Sequence, residues 1–96
     1  MIVRILGEGQ FRVGDDTAAK LATLDKELDA AVHSDDEAAF GAALRAAVQE
    51  VRTSGTPVGA DELVTADFIL PFSDATLAEV RKLLADGTIS DSIGLP

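Results

Sequence analysis

The stretch MIVRILGEGQFRV at residues 1–13 constrains this chain most. Apolar and polar residues alternate on both sides of Gly7-Glu8-Gly9, and a period of two is the signature of a strand with one buried face. Two such runs across a short glycine turn read as a β-hairpin. A three-residue turn of Gly7, Glu8 and Gly9 pairs Leu6 with Gln10, Ile5 with Phe11, Arg4 with Arg12 and Val3 with Val13. Gly9 then takes the left-handed position that such turns need. Val3, Ile5, Phe11 and Val13 fall on one apolar face. A two-residue turn would pair Ile5 with Arg12 and destroy that agreement. The opposite face carries Ile2, Arg4, Leu6, Gln10 and Arg12. Two arginines directly opposite one another repel, so this register calls for acids of the chain over them or for a partner.

The same glycines raise the question of a phosphate loop. A dinucleotide-type loop needs G-x-G-x-x-G running into a helix whose first amides hold the anion. Here Gln10-Phe11-Arg12-Val13 continues the strand alternation, and Glu8 puts a carboxylate where an anion would sit. No Gly-Lys-Ser/Thr follows. The glycines are turn geometry.

After the hairpin the period lengthens. Asp15-Asp16-Thr17 offers capping acids, and Leu21, Leu24, Leu28, Ala31 and Val32 make one helical stripe ending near His33. Ser34-Asp35-Asp36-Glu37 reads as a capping box, with Ser34 as the cap. It opens a second helix with the stripe Phe40, Ala43, Leu44, Ala47, Val48 and Val51, ended by Gly55 and Pro57. So short a join makes the two helices antiparallel. Residues 55–67 read as a connecting loop in which Leu63 and Val64 are apolar anchors. Phe68-Ile69-Leu70, stopped by Pro71, is a third strand or an extended packing segment. Ser73 or Asp74 caps a third helix with Leu77, Val80, Leu83 and Leu84 inward, and Gly87 closes it. Residues 88–96 hold Ile89, Ile93 and Leu95 without periodicity.

The expected fold is therefore α+β over residues 1–96 as one domain: an N-terminal β-hairpin packed on an antiparallel helical hairpin, plus a short C-terminal helix. Ninety-six residues can bury a modest core. The hydrophobic share of 47% is rich in alanine, so a few Leu, Ile, Val and Phe side chains must carry that core. A two-stranded sheet is marginal alone, so the hairpin must pack on the helices or gain strands, from this chain or a second copy.

Charge and residue types exclude several chemistries. A net charge of −9 repels nucleic acid and anionic lipid. The absence of cysteine removes disulfides, thiolate metal sites and cysteine nucleophiles. Arg4 interrupts the first apolar run, which predicts no signal peptide, and no apolar window reaches the length of a membrane span. His33 is the one histidine; at a helix end it suits the dipole, and one histidine is a poor basis for zinc. The acids at Asp15-Asp16 and Asp35-Asp36-Glu37 lack the alternating spacing of a calcium loop and read as caps. G-x-S-x-G does not occur, so Ser34, Ser54, Ser73, Thr76, Ser90 and Ser92 have no nucleophile context. No catalytic residue, cofactor or metal is predicted.

Four stretches in this order, MIVRILGEGQFRV, VRTSGTPV, DELVTADFILP and DATLAEVRKLLAD, resemble the PspAA family, small proteins associated with phage-shock protein A. The resemblance implies a non-enzymatic, cytoplasmic accessory protein of the envelope-stress response. Its expected partner is phage-shock protein A, a coiled-coil protein that binds and remodels membranes, so contact with the membrane is indirect. It carries no catalytic residues over. The partner-binding candidates are Arg4, Arg12, Gln10, Leu6 and Glu8, on or beside the outer face of the hairpin. The other expectation from the residues is a small self-associating regulatory domain, a homodimer with hairpins paired across it and no membrane role.

Overall fold

The computed structural model describes residues 1–59 and 61–85. Strands β1 (Ile2–Ile5), β2 (Gly9–Arg12), β3 (Thr56–Pro57) and β4 (Phe68–Leu70) form one sheet in the order β3-β2-β1-β4. Helices α1 (Asp15–Ser34), α2 (Glu37–Ser54) and α3 (Leu77–Ala85) complete an α+β fold. β1 pairs antiparallel with β2 and parallel with β4, while β3 lies antiparallel on the far side of β2.

The hairpin forms as the alternation predicts, but two residues out of the expected register. Val3 pairs with Phe11, Arg4 with Gln10, Ile5 with Gly9 and Ile2 with Arg12. The three-residue turn is Leu6-Gly7-Glu8, and the Glu8 amide donates to the Ile5 carbonyl at 2.9 Å. Gly7 (φ +85°) and Gly9 (φ +108°) both sit in the left-handed region, so either glycine could have closed a three-residue turn. A slip of two keeps every side chain on its face, which is why Val3, Ile5 and Phe11 still point inward. Arg4 and Arg12 are no longer opposite each other, and their mutual repulsion is relieved diagonally across the ladder.

The sheet gains its extra strands from its own chain. Phe68–Leu70 is a strand, parallel to β1, with Phe68 and Leu70 buried beside Val3 and Ile5. Thr56–Pro57 is also a strand, where a plain loop was expected; two residues carry no periodicity, and only the pairing with Phe11 and Arg12 reveals it. Val3, Ile5, Phe68 and Leu70 join Leu21 and Leu28 of α1 and Phe40, Leu44, Val48 and Val51 of α2 in one core. Each such side chain contributes about 1.5–3 kcal/mol by leaving water. Gly55 is required at the end of α2 by close approach. A Cβ there would lie 2.6 Å from the Val51 carbonyl oxygen and 3.1 Å from the Phe11 Cβ.

The helix ends depart from expectation for a common reason: backbone positions, not nearby acids, decide which residue caps. Gly14, with no side chain to offer, is the N-cap of α1, and Asp15 and Asp16 fall in its first turn where they suit the dipole. α1 runs through Ser34, so Ser34 is not a cap for α2. Asp35 takes the left-handed position (φ 58°), the Asp36 amide donates to the Ala31 carbonyl at 3.0 Å, and the Asp36 carboxylate accepts from the Ala39 amide at 3.0 Å. Glu37, displaced from the expected box, instead accepts from the Leu77 amide of α3 at 3.0 Å. α3 is capped by Thr76 and not by Ser73 or Asp74. The Thr76 hydroxyl accepts from the Glu79 amide at 3.2 Å, and the Glu79 carboxylate accepts from the Thr76 amide at 3.1 Å, a reciprocal box. Leu77 and Val80 are buried, with Leu83 and Leu84 packed against the core. Arg81 then ties α3 to the end of α1, donating to the Val32 carbonyl at 2.8 Å and pairing with Asp35 at 2.9 Å. Leu63 is 98% exposed and so is not an anchor. Gly87 and the apolar residues Ile89, Ile93 and Leu95 lie outside the described residues.

Candidate functional site

The pleat sends Ile2, Arg4, Gln10, Arg12, Thr56 and Ile69 to the face of the sheet away from the core. The segment from β3 to β4 joins opposite edges of the sheet, and its residues Val58 and Glu62 line a groove of about 450 Å³ together with Arg4, Glu8 and Gln10. The Val58 amide donates to the Gln10 carbonyl at 2.9 Å. Arg12 pairs with Glu62 at 2.7 Å. Thus an acid of the chain does stand over one arginine, and it comes from the loop. Arg4 is exposed and makes no ion pair among the described residues. Gln10 and Leu6 are half-buried.

Glu8 is placed differently from the other four candidates. The hairpin turn carries it to α2, where Arg52 grips it through two bonds, Nε to Oε1 at 2.7 Å and Nη2 to Oε2 at 2.5 Å. A bidentate guanidinium–carboxylate pair fixes orientation as well as charge. Arg52's hydrogen bond holds the Glu8 carboxyl below the usual range against the opposing effect of burial, and the Arg52 charge and the Ser73 hydroxyl help. The same bond raises the Arg52 guanidinium. The structure therefore gathers Arg4, Leu6, Gln10 and Arg12 along one face and its rim, with Glu8 clamping the turn to α2.

Beside that clamp lie residues the sequence reading did not single out. Phe72 is 45% exposed, and its ring lies against Gly7, where a Cβ would come within 2.9 Å of Cδ1. Arg45 and Arg52 stand seven residues apart on α2 and line, with Gln49 and Ser73, a second cleft of about 380 Å³. The two-turn spacing of Arg45 and Arg52 was a readable signal; their meeting with Ser73 was not, because that contact is long-range.

Asp25 was also missed. It is 4% exposed on α1, and its Oδ1 has no hydrogen-bond partner. Burial, with the nearby Asp29 charge, pushes its carboxyl up to about 6. Its spacing from Leu21 and Leu28 put it on the apolar stripe. His33 is exposed, with Nδ1 2.8 Å from the Asp29 carbonyl oxygen. Among the described residues no group of three or more histidine, aspartate or glutamate side chains converges to hold a metal ion. Among the same residues no helix is long and apolar enough to cross a membrane.

A four-stranded sheet backed by a helical hairpin, with shallow grooves lined by arginines and a loop, defines a small α+β protein built around contact surfaces. The chain belongs to the family described as PspA-associated protein, whose family model matches residues 1–92. No curated protein and no solved structure matches it.

Proposed function

We propose that this chain is a non-enzymatic accessory protein of the phage-shock response, acting as one domain that binds phage-shock protein A and tunes its assembly on the membrane. Family membership over residues 1–92 carries this reading. The protein works from the cytoplasmic side and meets the membrane through its partner, since a chain of net charge −9 gains nothing from anionic lipid. The outer face of the sheet is the binding surface. Arg4, Leu6 and Gln10 are offered to the partner directly. Arg12 and Glu8 reach it only by exchanging Glu62 and Arg52, which makes them set-points for the shape of the surface more than contacts.

The test is a titration of purified phage-shock protein A with the wild-type chain and with the double variant Arg4→Glu, Arg12→Glu. Wild type should bind. The double variant, with unchanged circular dichroism, should bind at least tenfold more weakly. Absence of wild-type binding at high micromolar concentration would end the reading, and undiminished binding by the double variant would move the interface elsewhere.

A further inference from the structure

The cleft between α2 and the turn after β4 has the make-up of an anchor site. On one wall, Arg45, Gln49 and Arg52 form a ridge along two turns of α2. The Arg45 guanidinium lies back along the helix, with Nη1 3.1 Å from where a Cβ on Gly41 would stand, so glycine leaves it the space to do so. Arg45 is exposed and makes no ion pair among the described residues, whereas Arg52 already holds Glu8. Ser73 forms the other wall. Next to it Phe72 presents nearly half its surface to water, yet its ring is seated on the Gly7 backbone and is not free to swing. A pre-positioned aromatic ring beside arginine is the composition that dominates binding energy at protein interfaces.

From this juxtaposition we infer that the Arg45–Arg52 ridge and Phe72 form a second contact surface, which takes an amphipathic helix carrying carboxylates spaced for the two arginines and an apolar side chain for the phenylalanine. The partner's charge follows from complementarity. This chain carries nine net negative charges, yet here it turns two guanidiniums into one cleft. A helix fits because the arginines are two turns apart, about 10.5 Å along α2, and carboxylates seven apart on a facing helix repeat at that same distance. The surface adjoins the outer sheet face through the clamp of Glu8 on Arg52, so one partner can span both. This inference rests on the reading that phage-shock protein A is that partner.

The experiment measures the affinity of purified phage-shock protein A for the wild-type chain, for Arg45→Glu, for Phe72→Ala and for Lys26→Glu, an exposed residue of α1. Circular dichroism checks that each variant folds. Arg45→Glu and Phe72→Ala should each weaken binding at least tenfold, Lys26→Glu should stay within twofold, and the affinity should fall as sodium chloride rises from 0.05 to 0.5 M, with ~ tenfold loss typical of an exposed charged contact. If wild type binds and both Arg45→Glu and Phe72→Ala stay within twofold of it, this surface is not used and the proposed function stands. If wild type does not bind, the proposed function falls and this inference falls with it.

Discussion

Asp25 should make the stability of this protein decline as pH rises, the reverse of the common behaviour of a buried carboxylate that has a partner. The carboxyl is almost completely out of water and its Oδ1 is unsatisfied. Its folded value is about 6, against an ordinary 3.8. Between those two pH values the folded chain holds a proton that the unfolded chain has released, so stability is full below the lower value and is lost as pH climbs through the upper one. A gap of about 2 pH units corresponds to about 3 kcal/mol, and relaxation of water around a carboxyl only slightly below the surface trims this to about 2 kcal/mol. Asp25→Asn removes the charge and keeps the shape. At pH 4 the variant should match wild type or fall about 1 kcal/mol below it, because a buried amide without partners carries its own cost. At pH 7.5 it should gain about 2 kcal/mol relative to its standing at pH 4, roughly 10 °C in Tm for a chain of this size. Urea melts followed by circular dichroism at pH 4, 5, 6 and 7.5 measure the difference. Glu8 and Glu50, both held below the usual carboxylate range, act in the opposite sense but cancel between the two proteins. A gap between variant and wild type that stays constant over the whole range would refute the argument.

Other substitutions test the remaining features. Gly55→Ala drives a methyl group into the Val51 carbonyl and the Phe11 side chain and should cost about 1–3 kcal/mol, visible as a lower urea midpoint. Thr76→Ala deletes half of the box that starts α3 and should cost about 1 kcal/mol; amide exchange at Glu79 should speed up more than exchange in α1. Glu8→Gln should flatten the loss of stability as pH falls through the acid range, since the native Glu8 contributes above its ordinary value and stops contributing once protonated. A thermal melt series from pH 3 to pH 6 compares it with wild type.

The hairpin, both long helices and the strand at Phe68–Leu70 were legible because each repeats its pattern over enough residues, or ends at a clear breaker such as Pro71. The register was only half legible. Gly7 and Gly9 each permit a left-handed turn residue, and the alternation fixes faces but is blind to a slip of two. The caps were misread because Ser34 and Ser73 are good capping residues by type, while the helices begin where Asp36 and Thr76 find amides to accept from. The candidate site was legible as an arginine-bearing face. Its partners were not: Glu62 meets Arg12 across 50 residues and Arg52 meets Glu8 across 44, and nothing local announces such pairs.

The middle position of β1 also dictates an order of assembly. The two long helices meet across a short join and β1 meets β2 across a three-residue turn, so both units close from neighbouring sequence. The other edge of β1 must wait for β4, bound through the contact of Ile2 with Asp67, 65 residues downstream. During synthesis the strand made first therefore travels with one bare edge until almost all of the chain exists, and mutual repulsion between acidic nascent chains is what guards that edge from pairing with the wrong copy.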